Sequence, residues 1–175
     1  MNELRSEGSL RVLVAEDDYG LSNEHVACFS KYANALELRV AHDAGAVLSV
    51  LEKWRPRLLV LDLMMPYGDA AGLLKSAGDS SMVDTGLRLL DWIRQDEKQK
   101  GLSPIWVAVT TARSDMRALR KVEALLGGHG SIFQKPFDSI CFEVAICDVL
   151  RLPVELDASL VNDARNELKR QGARP

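Results

Sequence analysis

Three apolar runs in this chain are close to continuous: LRVLVA (residues 10–15), RLLVLD (57–62) and PIWVAVT (104–110). None shows the regular alternation of a strand with one face in water, so each fits a strand covered on both faces. Two shorter runs, LELRV (36–40) and SIFQ (131–134), bring the number of expected strands to five. Segments of helical period lie between and after them, at 21–33, 44–54, 85–99, 114–126 and 138–152, with Ser114 as the N-cap of the fourth. Strands joined through helices run parallel, and right-handed crossovers restrict the possible layouts. The expected fold is α/β, a doubly wound five-stranded parallel sheet. In such sheets ligands bind beyond the carboxyl ends of the strands, where the strand order reverses.

The polar residues gather at those ends. The first strand runs into Glu16-Asp17-Asp18, the third into Asp62, the fourth into Thr110-Thr111 and the fifth into Lys135-Pro136. With the strand order 2-1-3-4-5, the first and third strands are neighbours, and Glu16, Asp17 and Asp62 converge. Clustered carboxylates raise one another's pKa unless a cation neutralises them. The ligands on offer are oxygens, with no histidine or thiol nearby, a set that suits Mg²⁺. Each acid alone reads as a solvated loop residue. The same placement on four strand ends is far harder to reach by accident.

Composition narrows the function classes. The chain has 175 residues, enough for one domain with a sizeable core, and 47% hydrophobic residues argue against disorder. A formal charge of −3 gives no basic nucleic-acid surface. No stretch has the length of a membrane span, and the polar start MNELRSEGSL has no secretory core, so neither nucleic acid nor membrane is an expected partner. Cys28, Cys141 and Cys147 are odd in number and lack metal-ligand spacing, which reads as a reduced, cytoplasmic protein.

The motifs VLVAEDD, LVLDLMMP, VAVTTA and FQKPF, in this order, resemble those of two-component response-regulator receiver domains over residues 11–152. The resemblance implies a flavodoxin-like 2-1-3-4-5 sheet and a stand-alone phosphorylatable signalling switch rather than an enzyme, catalysing only its own phosphorylation and dephosphorylation. It implies Asp62 as phosphoacceptor, with Mg²⁺ held directly by Asp17, mainly through water by Glu16, and by Asp62 and the Met64 carbonyl. Thr111 would contact the acylphosphate and Lys135 would bridge to it, with a cis Lys135–Pro136 peptide. The implied phosphoryl donor is a sensor histidine kinase or histidine phosphotransfer protein, and the output is protein–protein contact with an unknown downstream target. The alternative is a receiver-like adaptor that binds partners independently of phosphorylation. A dehalogenase-type phosphohydrolase would want an acid where Met64 stands.

Two features depart from the family pattern. Ile132 occupies the place of an aromatic switch residue, and Phe133 beside it should face the opposite side of the sheet. Residues 67–83, YGDAAGLLKSAGDSSMV, form an insertion after the third strand, about 16 residues beyond the usual loop. Its glycines and serines suggest mobility, and it is expected to shape access to Asp62 rather than to hold the fold together, with Leu73 and Leu74 free to dock. The receiver domain should span 1–153. Residues 154–175 form a helical extension whose apolar stripe, Leu160, Val161, Ala164 and Leu168, packs on this domain or on a second copy in a homodimer.

Overall fold

The computed structural model describes residues 9–74 and 84–170. Five strands, β1 (Leu10–Ala15), β2 (Leu36–Ala41), β3 (Leu58–Asp62), β4 (Trp106–Thr111) and β5 (Gly130–Gln134), form one parallel sheet in the order β2-β1-β3-β4-β5. The helices are α1 (Tyr19–Ser30), α2 (Ala44–Lys53), the one-turn α3 (Ala71–Leu74), α4 (Thr85–Lys100), α5 (Met116–Leu126), α6 (Ser139–Leu150) and α7 (Ala158–Arg170). Among the described residues, no helix is long and apolar enough to cross a membrane.

The continuous apolar strands divide their side chains between two cores. Leu13, Ala15, Leu59, Leu61, Val107 and Val109 meet α2, α4 and α5 on one face. Val12, Val14, Leu58, Val60 and Ala108 meet α1, α6 and α7 on the other. The period-2 rule also separates Ile132, half-buried on the first face, from Phe133, buried on the second. No other residue of β5 therefore restores an aromatic to the side that Ile132 occupies.

Helix starts follow side-chain chemistry. Asp18, Asp43 and Asp138 cap α1, α2 and α6 by accepting from backbone N–H groups of the first turn. At α5 the cap is Asp115, whose Oδ1 accepts from Ala118 N at 2.8 Å, and not Ser114. An aspartate there also pairs with Arg113, which fixes its rotamer.

The first half of the insertion is built into the core, which corrects the expectation of a loop that leaves the fold untouched. Tyr67, Ala70 and Leu74 are buried against the α2–α4 side of the sheet, while Leu73 is exposed. Ala44 N and Gly45 N, at the start of α2, donate to the carbonyls of Pro66 and Tyr67 at 3.0 and 3.1 Å. Gly68 has φ +53°, and the Asp43 carboxylate lies 2.2 Å from where its Cβ would be, so no other residue fits. Residues 75–83 lie outside the described residues.

Helix α7 packs on α6 of the same chain. Val161, Ala164 and Leu168 are buried, whereas Leu160 is 43% exposed at the rim of the seam. Arg165 adds a two-point bridge to Asp148 of α6, with Nε 3.0 Å from Oδ2. That exposed pair contributes little beside the apolar stripe. Leu168→Ala should therefore cost about 2–4 kcal/mol, the range for a buried leucine truncation, with Leu160→Ala nearly neutral. Denaturant unfolding of the two variants measures the difference.

Candidate functional site

The strand register sets Glu16, Asp62, Thr111 and Lys135 at one edge. Ala15 pairs with Leu61, so Glu16 and Asp62 come next on adjacent strands. Asp62 pairs with Thr110, and Thr111 with Gln134. Lys135 N donates to Thr111 O at 2.7 Å, carrying the register one residue past the sheet. The Lys135–Pro136 peptide is cis.

Carboxylate oxygens of Glu16, Asp17 and Asp62 lie within 4.8 Å of one another. Glu16 and Asp62 are buried and Asp17 is exposed. Lys135 Nζ sits 2.8 Å from both Glu16 Oε2 and Asp62 Oδ2. The other oxygen of Asp62, Oδ1, accepts from Met64 N at 2.9 Å. Among the described residues, the three carboxylates face one ammonium, so the cluster carries more negative than positive formal charge. The donor set is all oxygen, partly buried and open on the Asp17 side, which fits a hard divalent cation that keeps part of its water shell.

Burial pushes the Glu16 carboxyl up, but the His25 ring and the Lys135 ammonium outweigh it and hold the group far below the usual carboxylate range. Of these two, Lys135 is the contact of hydrogen-bond length. Asp62 goes the other way. Burial, joined by the charge of Glu16, raises it despite Lys135 and the Met64 N–H. Lys135 is raised, its burial offset by the two acids. Asp62 is thus the member of the pair whose charged form burial and the neighbouring acid disfavour, so an incoming cation would stabilise that form.

Thr111 is fully buried, and its Oγ1 accepts from Arg113 N at 3.0 Å, so its hydroxyl oxygen is engaged by its own loop. Arg113 carries that loop outward. Its carbonyl accepts from Gln134 Nε2 at 2.9 Å, and its guanidinium pairs with Asp115 and with Asp84, the residue before α4. Two residues further, Gly86 N donates to Leu63 O at 3.0 Å. A Cβ on Gly86 would stand 2.3 Å from Asp62 O, so only glycine lets α4 begin directly under the Asp62–Leu63 backbone.

Two histidines border the acids, which corrects the reading that none is near. His42 Nδ1 lies 2.8 Å from Glu16 O. His25, buried on α1, has Nε2 3.8 Å from Glu16 Oε2. The spacing of Ser22, His25 and Phe29 was the available sign, since it places His25 on the buried face of α1. Arg113 and Asp84 left no comparable pattern.

The opposed shifts give a test in metal-free protein. Asp62, raised in the folded state, destabilises above its folded pKa, and that penalty vanishes as pH falls below its unfolded pKa. Glu16, lowered, contributes stability that is present above its unfolded pKa and lost as pH falls through its folded pKa. Asp62→Asn should raise the melting temperature at pH 7, with the gain shrinking on acidification, whereas Glu16→Gln should lower it. Thermal unfolding of both variants between pH 3 and 7 reads the sign.

No family model matches the chain. A stretch of 79 residues, 45% of this chain, is 30% identical to the transcriptional regulatory protein TrcR of Mycobacterium tuberculosis and spans 30% of that protein's length. Among solved structures, the signal receiver domain of a DNA-binding response regulator from Colwellia psychrerythraea 34H superposes with a TM-score of 0.61 at 17% identity, covering 82% of this chain and 99% of that one. A chain in the co-crystal structure of the Saccharomyces cerevisiae histidine phosphotransfer protein Ypd1 with the receiver domain of Ssk1 gives 0.62 at 20%, covering 85% and 95%. The Francisella response regulator 1452 receiver domain gives 0.56 at 21%, covering 82% and 98%. Likeness of this kind fixes the architecture, and the chain has the fold of a response-regulator receiver domain.

Proposed function

We propose that this chain is a Mg²⁺-dependent phosphoryl-accepting switch in a cytoplasmic phosphorelay, with Asp62 as the acceptor. One observation carries the reading. Lys135 Nζ bridges Asp62 Oδ2 and Glu16 Oε2 at the sheet edge, 2.8 Å from each, with Asp17 on the open side. The group that a phosphoryl transfer needs as nucleophile is the one this site holds raised and partly desolvated.

In the transfer, an Asp62 carboxylate oxygen attacks phosphorus. The bond from phosphorus to the donor's nitrogen, or to the oxygen of a small acyl phosphate, breaks, and its electron pair leaves with the donor. Mg²⁺ held by Asp17, Asp62, the Met64 carbonyl and, through water, Glu16 would supply charge neutralisation at the phosphoryl oxygens. Lys135 supplies a second positive charge from the β5 side. The Thr111 hydroxyl, whose oxygen accepts from Arg113 N, donates a hydrogen bond to a phosphoryl oxygen. The donor class is a phosphohistidine on a sensor histidine kinase or histidine phosphotransfer protein. The Ypd1–Ssk1 complex among the structural neighbours supports that choice.

Movement of Thr111 pulls the loop that Arg113 ties to Gln134 and to Asp84. The signal therefore reaches the end of β5 and the start of α4 together. These surfaces, and not a bound nucleic acid, are the proposed output.

Incubation with acetyl phosphate and Mg²⁺ followed by intact-mass measurement tests the proposal. The parent should gain the mass of one phosphoryl group, and Asp62→Asn none. A full-yield adduct on Asp62→Asn, or no adduct on the parent with either acetyl phosphate or a phosphohistidine donor, would overturn it.

A further inference from the structure

Lys135 has two tasks that conflict. Its ammonium is shared between Glu16 Oε2 and Asp62 Oδ2. Once Asp62 carries a phosphoryl group, negative charge lies on oxygens beyond the former carboxylate, and the ammonium follows it. Glu16 stays behind, 1% exposed, with its Oε2 deprived of the ammonium. A buried carboxylate that has lost the ammonium and keeps only a cation-bound water is short of donors, so a second donor at Oε2 would ease the transfer.

The structure places one there. His25 Nε2 lies 3.8 Å from the same Oε2, too long for a hydrogen bond and short enough for a small rotation to close. Nε2 is buried and has no hydrogen-bond partner, a state that native proteins seldom leave unexplained. Phe137 stacks at 6.0 Å between ring centroids and 9° between planes, and Phe142 packs at 5.3 Å. The two rings hold the imidazole with its Nε2 edge toward Glu16. His25 and Lys135 also line one cavity of about 320 Å³, so the two groups that face Glu16 Oε2 sit on a shared, loosely filled side of the site.

We infer that His25 is a positioning residue that replaces Lys135 at Glu16: its Nε2–H donates to Glu16 Oε2 when the ammonium turns to the phosphoryl group. This rests on the reading of Asp62 as phosphoryl acceptor. It assigns His25 no contact with the phosphoryl group and no proton transfer. It explains why an aromatic cluster of α1 and α6 contains one polar ring, and why the unpaired nitrogen faces Glu16.

Two measurements decide it. Lys135→Met removes the ammonium from metal-free, unphosphorylated protein. ¹⁵N-resolved imidazole NMR should then show a slowly exchanging, downfield His25 Nε2 proton that is absent in the parent and lost again when Glu16→Gln is added. The second measurement is the rate of phosphoryl-adduct formation with acetyl phosphate and Mg²⁺. His25→Phe keeps the ring packing but loses the donor, and should slow the reaction about tenfold, the effect of one charge-assisted hydrogen bond. His25→Gln, which keeps an N–H near the Nε2 position, should remain within about twofold of the parent. An unchanged imidazole signal in Lys135→Met, or a parental rate in His25→Phe, would overturn the inference. Equal slowing in both His25 variants would also overturn it, because it would mark a packing role. If the parent accepts no phosphoryl group, the functional reading fails, and the Lys135→Met spectrum still decides the His25 contact.

Discussion

Two carboxylates side by side in a largely buried site repel each other, and the fold supplies a single ammonium to hold them. Lys135 takes a hydrogen bond to each of Glu16 and Asp62, and even so the two acids respond in opposite directions, Glu16 downward and Asp62 upward. Asp17, exposed beside them, adds a third carboxylate to the cluster. A site left this far from neutrality favours whatever brings positive charge or removes negative charge. A divalent cation does the first, and it would also offset the further negative charge that an acyl phosphate on Asp62 brings. The excess of like charge is thus what a bound cation answers, and the rest of the structure maintains it.

The maintenance begins with strand order. Because β1 and β3 are neighbours, the residues that follow Ala15 and Leu61 meet without any loop having to reach. The lysine arrives from β5, two strands from β3, and Lys135 N is itself tied to Thr111 O. The floor is closed by α4, whose Gly86 lies against the Asp62 backbone at a distance that excludes a side chain. Asp62 therefore sits on a strand buried at every residue and pinned on both sides by β1 and β4, with α4 beneath. Preorganisation of this kind lets a nucleophile act without first paying to order itself.

Much of this was legible in the sequence, for a physical reason. A strand buried on both faces has to be apolar along its length, and its polar end residue then stands out, which is why Asp62, Thr111 and Lys135 could be read off strand ends. Ser114 against Asp115 shows where such reading stops. Both are good caps, and the choice fell to Asp115, which also pairs with Arg113 two residues earlier. His25 was visible only as a helix-face residue, since its relation to Glu16 depends on how α1 leans on β1. Leu160 was counted with the stripe of α7, yet the seam against α6 is too narrow to cover it. The insertion misled through composition. Its glycines suggested mobility, but Gly68 is a glycine because Asp43 fills the space of a side chain. Tyr67, Ala70 and Leu74, spaced three and four apart, already carried a helical signature under that composition.

The start of the insertion then reads as an extension of the core, and the residue that follows the insertion is tied to the Thr111 loop. The start is fixed by the carbonyls of Pro66 and Tyr67, which receive the first N–H groups of α2, so α2 and β3 share one junction. The residue that follows the insertion, Asp84 at the start of α4, is held by the guanidinium of Arg113, whose backbone N–H donates to Thr111 Oγ1. Under the proposed function, displacement of Thr111 would act through Arg113 on Asp84, at the start of α4, while Tyr67, Ala70 and Leu74 lie buried in the core. With Ile132 in place of an aromatic on the same side of β5, the Arg113–Asp84 pair is the contact that ties the Thr111 loop to the start of α4. Under the proposed function, that polar contact would do the transmitting for which the receiver resemblance expects a rotating ring.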